Sequence, residues 1–214
     1  MHYSKLPFES FVNKVDNVLG QSLSDQNLVS SLSTFGYGLS EMEKGRRLLE
    51  DLKFTDQEKE AARQRRMELN KERSILYRDL QKRYMRLIKL GRVVFDNDQI
   101  ARRTLGLDGA RQKDLEKWQR QVYLFCRHLI VEEQWMKSMA GFGVKREEID
   151  RILDDLEKLE ELNTRFEHAK EISKKMTQKK NEQLLHLQSW LSDYIKIAKL
   201  ALEEKPELLN KLLN

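Results

Sequence analysis

The second half of this sequence repeats the pattern of the first half without a gap. The shift that aligns the two is half of the 214-residue chain, and we call it the half-length offset. Such an offset indicates two copies of one structural unit. We therefore predict two helical repeats, residues 1–107 and 108–214, related by a pseudo-twofold axis. The pairs that align at this offset include Phe35-Gly36 with Phe142-Gly143, Glu41 with Glu148, Leu80 with Leu187, and Leu105 with Leu212.

The composition favours helices as the only regular structure. Charged residues make up 35% of the chain and hydrophobic residues 39%, with nine glycines and two prolines. Runs of the β-branched residues that strands prefer are missing. A low apolar share with many charges suits thin helical assemblies better than a thick globular core. We expect an all-α fold.

Two long segments, at about residues 40–95 and 147–202, contain no proline and only two glycines, Gly45 and Gly91. A helix of roughly 55 residues is about 80 Å long at 1.5 Å per residue. Apolar residues at helical spacing concentrate toward the ends of both segments. We predict two long helices.

Both long segments have polar centres, Thr55–Arg66 and Lys174–Glu182. These centres leave open an alternative in which the helices break near Thr55 and Thr164 and fold into a thicker bundle. A second capping box, formed by Thr55 with Glu58, would support that break. Unbroken helices are the prediction that we prefer, because packed bundles would have to bury many charges.

Short helices should precede and follow each long helix along the chain. The apolar spacing predicts a first helix from Pro7 to about Gly20, and a Phe-Gly pair ends the short second helix of each half, where glycine favours a left-handed turn. Short helices at about 98–105 and 206–213 close the halves, and Asp108-Gly109 joins them. With this connectivity the second long helix runs back along the first. The result is an antiparallel, coiled-coil-like rod with short helices packed at each end.

No residue pattern indicates catalysis or a bound cofactor. The chain lacks a glycine-rich phosphate loop, a nucleophile elbow, a pair of zinc-type cysteines and the Glu-x-x-His spacing of di-iron bundles. Its single cysteine, Cys126, excludes an intramolecular disulfide and aligns with Leu19, which indicates a core position. We predict that the chain is not an enzyme, with no catalytic residue, metal, cofactor or small-molecule substrate.

Residues 63–103 form the most basic region, with 13 basic and 5 acidic side chains. Arg78, Lys82, Arg86 and Lys89 follow helical spacing and form one cationic face. Such a face is typical of a solvated long helix, but it can also neutralise phosphates. Sequence-independent nucleic-acid binding through this surface is therefore our alternative function.

The sequence shows neither the apolar region of a signal peptide nor an apolar run long enough to cross a membrane. A lone cysteine suits a reducing compartment. We expect a cytoplasmic protein.

The C-terminal segment contains the stretch Trp190 to Tyr194 followed by Ile197-Ala198 and Leu202-Glu203. In these residues it resembles the closing segment of a group of uncharacterised bacterial helical proteins. The resemblance implies a bacterial source and brings no activity and no functional residue. The duplicated helical pattern and the lack of catalytic motifs favour a non-enzymatic scaffold or protein-interaction module that binds a protein partner or itself. The residues that carry the resemblance are Trp190 to Tyr194, Ile197-Ala198, Leu202-Glu203 and Pro206 to Leu209, with the Phe-Gly pairs and Asp108-Gly109.

Overall fold

The computed structural model describes residues 6–213, and in that range it contains eight α-helices and no β-strand. The all-α prediction is therefore confirmed. The helices are α1 (Phe8–Ser24), α2 (Gln26–Ser33), α3 (Leu39–Val94), α4 (Gln99–Thr104), α5 (Leu115–Val131), α6 (Glu133–Ala140), α7 (Arg146–Ala201) and α8 (Pro206–Leu213).

The two long helices are unbroken, and each contains 56 residues. Thr55 lies in the interior of α3 and is buried, so the alternative break near this residue is wrong. Thr164 lies in the interior of α7, where its hydroxyl donates to the carbonyl of Glu160 one turn earlier. Both threonines are therefore interior residues of continuous helices and do not cap new ones.

The helices assemble into two compact units that do not coincide with the sequence halves. The first unit combines residues 6–64 and 171–213, and the second unit comprises residues 65–170, so each long helix contributes to both. The order of short and long helices nevertheless recurs along the chain: two short helices, one long helix and one short helix occur first as α1 to α4 and again as α5 to α8. The pairs α1/α5, α2/α6 and α3/α7 have equal lengths, and only α4 and α8 differ, by one short turn or less. The duplication of residues 1–107 as 108–214 stays a prediction.

In the first unit, α1, α2 and α8 pack on antiparallel portions of α3 and α7. The pairing is antiparallel because Asp56 meets Lys180, whereas Gly45, earlier in α3, meets Trp190, later in α7. The Trp190 indole stacks on Tyr194 at 5.2 Å between ring centroids. A side chain at Gly45 would place its Cβ 2.3 Å from Trp190, so this glycine makes room for the indole.

In the second unit, α4, α5 and α6 pack on the remaining portions of α3 and α7, which are again antiparallel. Its core centres on Trp118 of α5, which is 2% exposed and meets Tyr77 of α3 edge-on at 4.7 Å. Cys126 is fully buried in the same cluster, which confirms its prediction as a core residue.

Helix α1 does not end at Gly20, as the sequence predicted, but continues to Ser24. The last turn is stabilised by tertiary contacts: Ser22 is buried and its hydroxyl bonds to that of Tyr194 in α7. A glycine costs a helix interior only about 1 kcal/mol, which such packing outweighs.

Candidate interaction surfaces

The described residues contain no cluster of metal-ligating side chains, and the single cysteine is buried. Between residues 6 and 213, no three His, Cys, Asp or Glu side chains group closely enough to hold a metal ion. Burial raises the pKa of the Cys126 thiol to about 12, so it stays protonated at neutral pH. None of the helices in this range combines the length and apolar character that crossing a bilayer requires.

The structure brings Arg78, Lys82, Arg86 and Lys89 together on one exposed side of α3, which we call the basic face. At 100° per residue the four positions lie within about an 80° sector. The side chains of α3 that enter the core, such as Leu80, Tyr84 and Leu87, point to the opposite side of the helix. The sequence therefore predicted the exposure of this face.

One member of the basic face is engaged within the chain. A guanidinium nitrogen of Arg86 lies 2.7 Å from both carboxylate oxygens of Glu148 in α7. Arg78 donates to the carbonyl of Ser74 one turn earlier, which leaves its charge unneutralised. Across the part of the chain that the structure describes, Arg78, Lys82 and Lys89 form no ion pair with a carboxylate. Three cations of the basic face are thus available to an external partner.

Two matching turns hold a phenylalanine out to solvent, one in each unit. Helix α2 ends at a turn in which the amide of Tyr37 donates to the carbonyl of Leu32 and Gly36 has a φ of +82°. These are the features of a Schellman motif, in which glycine adopts the left-handed conformation at low cost. The residue before the glycine, Phe35, is 49% exposed. Helix α6 ends in the same way: Val144 donates to Met139, Gly143 has a φ of +82°, and Phe142 is 57% exposed.

The turn itself does not force the residue before the glycine outward. A third turn of this type follows α4, where Leu107 donates to Arg102 and Gly106 has a φ of +57°. The residue before that glycine, Leu105, is buried. The exposure of Phe35 and Phe142 is therefore a property of these two sites and not of the turn type.

The second unit also contains an open groove of about 580 Å³ between the first half of α5 and the outer flank of α7. Its walls are Leu153 and Leu156 of α7 with the half-exposed ring of Tyr123 from α5. Charged side chains rim these apolar walls, and we call the site the acidic groove. The rim consists of Glu116, Arg120, Glu157 and Glu160.

No carboxylate of this rim forms an ion pair with any residue in the described range. Asp155 and Glu148, nearby on α7, differ in this respect: Asp155 binds Arg83 and Lys158, and Glu148 binds Arg86. With three carboxylates and one cation, Arg120, on its rim, the groove presents apolar surface and a net negative charge at one place.

Sequence reasoning missed the acidic groove. Its carboxylates belong to two helices that are far apart along the chain, and nothing in their local spacing marks them out. The only local signal is the exposed Tyr123-Leu124 pair, which breaks the amphipathic pattern of α5.

Comparison with known proteins found no matching family model, curated protein or solved structure.

Proposed function

We propose that this chain is a non-enzymatic helical scaffold that binds protein partners through its two Phe-Gly turns. The observation that carries the proposal is that Phe35 and Phe142 are both exposed in turns of the same hydrogen-bonded geometry. Aromatic side chains are enriched in protein interfaces because one ring buries much area at a small entropic cost.

Neighbouring residues support a contact surface at the turn of the first unit. Leu200 of α7 is 59% exposed and lines a shallow depression together with Thr34, the residue before Phe35. An exposed leucine thus lies close to the turn that holds Phe35, beside the polar residues that line the rest of the depression.

Site-specific photo-crosslinking tests the proposal. A benzophenone side chain at position 35 or 142, in the organism that encodes the chain, should capture the same discrete protein species at both positions. Leu185 in α7 is a matched control, since it is apolar and 64% exposed but lies away from both turns. Excess unlabelled chain should compete for the captured species, whereas a chain with Phe35→Ser and Phe142→Ser should not. Equal labelling at 35, 142 and 185 would overturn the proposal.

A second candidate function, sequence-independent nucleic-acid binding, is favoured by the distribution of charge. Residues 65–170 contain 24 basic and 19 acidic side chains, whereas the rest of the chain contains 16 of each. The whole excess of five positive charges thus belongs to the second unit, where the basic face lies.

The salt dependence of binding tests this second candidate. Three free cations should give a slope of log K against log salt of about −2.7 on duplex DNA. Glu148→Gln would release Arg86 and steepen the slope to about −3.6. Reversing Arg78, Lys82 and Lys89 to Glu should abolish binding. Binding that survives 0.5 M salt, or that Glu148→Gln leaves unchanged, would exclude the basic face as the site.

A further inference from the structure

The acidic groove has a complementary surface on the same chain. The basic face of α3 is flanked by Ile75 and Val93, which are 53% and 67% exposed. Both fall in the same helical sector as Arg78, Lys82 and Lys89 at 100° per residue. This side of α3 therefore offers apolar side chains among cations, whereas the groove offers apolar walls among carboxylates.

The two surfaces cannot meet within one second unit. Helices α5 and α7 pack on the buried side of α3, where Trp118 contacts Tyr77 and Tyr84. The basic face lies on the opposite side of α3, because its positions are about half a turn away from those of Leu80 and Leu87. A contact between the groove and the basic face must join two molecules.

We propose that the acidic groove of one copy binds the basic face of α3 in a second copy. Exposed Ile75 or Val93 of one copy enters the groove beside Tyr123 and Leu153, while Arg78, Lys82 and Lys89 approach the carboxylates of Glu116, Glu157 and Glu160. The proposal rests on the proposed role as an interaction module and names a partner for the second unit. Complementary charge sets the register and the rate of such an encounter.

The contact is heterologous, because it joins two different surfaces of the same chain. Each copy keeps one free groove and one free basic face, so association continues head to tail. The average mass should therefore rise continuously with protein concentration and should not stop at a dimer. Since the charged groups are exposed, association should weaken at least tenfold between 50 mM and 300 mM salt.

Charge reversal tests the proposal by sedimentation velocity at 50 mM salt. A groove variant, Glu157→Lys with Glu160→Lys, and a face variant, Arg78→Glu with Lys82→Glu, should each remain monomeric. Mixed together, they should associate again into species heavier than the 25.5 kDa monomer, because the intact basic face of one pairs with the intact groove of the other. The lysine-bearing groove of the first variant is likewise complementary to the glutamate-bearing face of the second. Glu43→Lys with Glu50→Lys changes the charge equally at exposed positions of α3 in the first unit and should associate like the wild type.

The same measurement separates this inference from the proposed role of the Phe-Gly turns. A chain with Phe35→Ser and Phe142→Ser should still associate, since neither residue lines the groove or the basic face. A wild-type chain that stays monomeric at 200 µM overturns the inference. A basic segment of another protein would then be the expected occupant of the groove. A mixture of the two variants that stays monomeric overturns it as well, whatever is crosslinked at positions 35 and 142.

Discussion

The groove between α1 and α3 in the first unit and the acidic groove in the second unit occupy positions that correspond at the half-length offset, but only one is open. In the first unit, Asp16 of α1 binds Arg46 and Lys53 of α3 at 2.7 and 2.8 Å. The corresponding positions in the second unit hold Tyr123, Leu153 and Glu160, and these three residues line the acidic groove.

One buried position beside the two grooves is shared by both units. Leu49 and Leu156, which also correspond at the half-length offset, are both buried. At the two grooves the difference lies on the surface, where an ion-pair network in one unit is replaced by an apolar residue, a ring and an unpaired carboxylate in the other. Two units can share a packing scheme and still differ in what they are able to bind.

The largest effect is expected from truncating matched core residues. Trp118→Ala in the second unit and Phe11→Ala in the first should each lower the free energy of unfolding by about 3–5 kcal/mol, since both are buried aromatic side chains. Chemical denaturation followed by circular dichroism measures both losses. A loss below about 1 kcal/mol for one of them would show that the two cores are not comparable.

Gly45 marks a point where the two cores differ. Gly45 and Trp190 correspond at the half-length offset to Ile152 and Arg83, so the glycine and the indole are replaced by an aliphatic and a charged side chain. Gly45→Ala should destabilise the first unit by about 1–3 kcal/mol, because its Cβ would overlap the indole. The midpoint of chemical denaturation measures this loss.

Gly20→Ala is the matched control for Gly45→Ala. Gly20 also lies inside a helix, but no atom would lie within 4 Å of an added Cβ. This change should stabilise the chain by about 0.5–1 kcal/mol. If Gly45→Ala also stabilised the chain, the close fit of Trp190 against Gly45 would be contradicted.

Transplanting the closed groove into the second unit should remove its binding surface at little cost in stability. The triple change Tyr123→Asp, Leu153→Arg and Glu160→Lys reproduces the residues of the first unit. Because exposed ion pairs contribute little, the free energy of unfolding should change by less than about 1 kcal/mol. Self-association measured by sedimentation should fall at least tenfold. Association at wild-type strength would show that the open groove is not the contact.

The smallest effect concerns acid stability. Hydrogen bonding from Lys53, together with the charges of Lys53 and Arg46, holds the pKa of Asp16 below its ordinary value of 3.8. Because the folded pKa is lowered, the stabilisation is present above pH about 3.8 and is lost as the pH falls through the folded pKa. Asp16→Asn should cost about 0.2–1 kcal/mol at pH 7 and flatten the pH dependence of unfolding below about pH 4. An unchanged acid profile would show that the network does not stabilise the closed groove.

The parts of the fold that local signals determine could be predicted from the sequence. The bounds of both long helices were predicted within one residue, because Phe-Gly turns precede them and proline is absent from their length. The all-α class followed from the composition. The end of α1 was predicted wrongly, because the buried hydrogen bond between Ser22 and Tyr194 connects residues that are 172 positions apart.

The candidate surfaces could likewise be predicted only where local periodicity determines them. The exposure of Arg78, Lys82, Arg86 and Lys89 follows from helical periodicity, which the sequence contains. The ion pair of Arg86 with Glu148 depends on the register between α3 and α7, which the periodicity of neither helix determines. The acidic groove depends on which flank of α7 is left uncovered by α5, and only tertiary packing decides that.

The position of Cys126 gives the second unit an internal reporter. It is the only cysteine of the chain, it lies fully buried on the inner side of α5, and its thiol is protonated at neutral pH. A thiol reagent can therefore modify the protein only when the second unit opens, and the modification rate measures the population of that open state. The first unit contributes nothing to this signal, so a thiol reagent can time the local opening of one unit in the native protein without a mutation or a spectroscopic assignment.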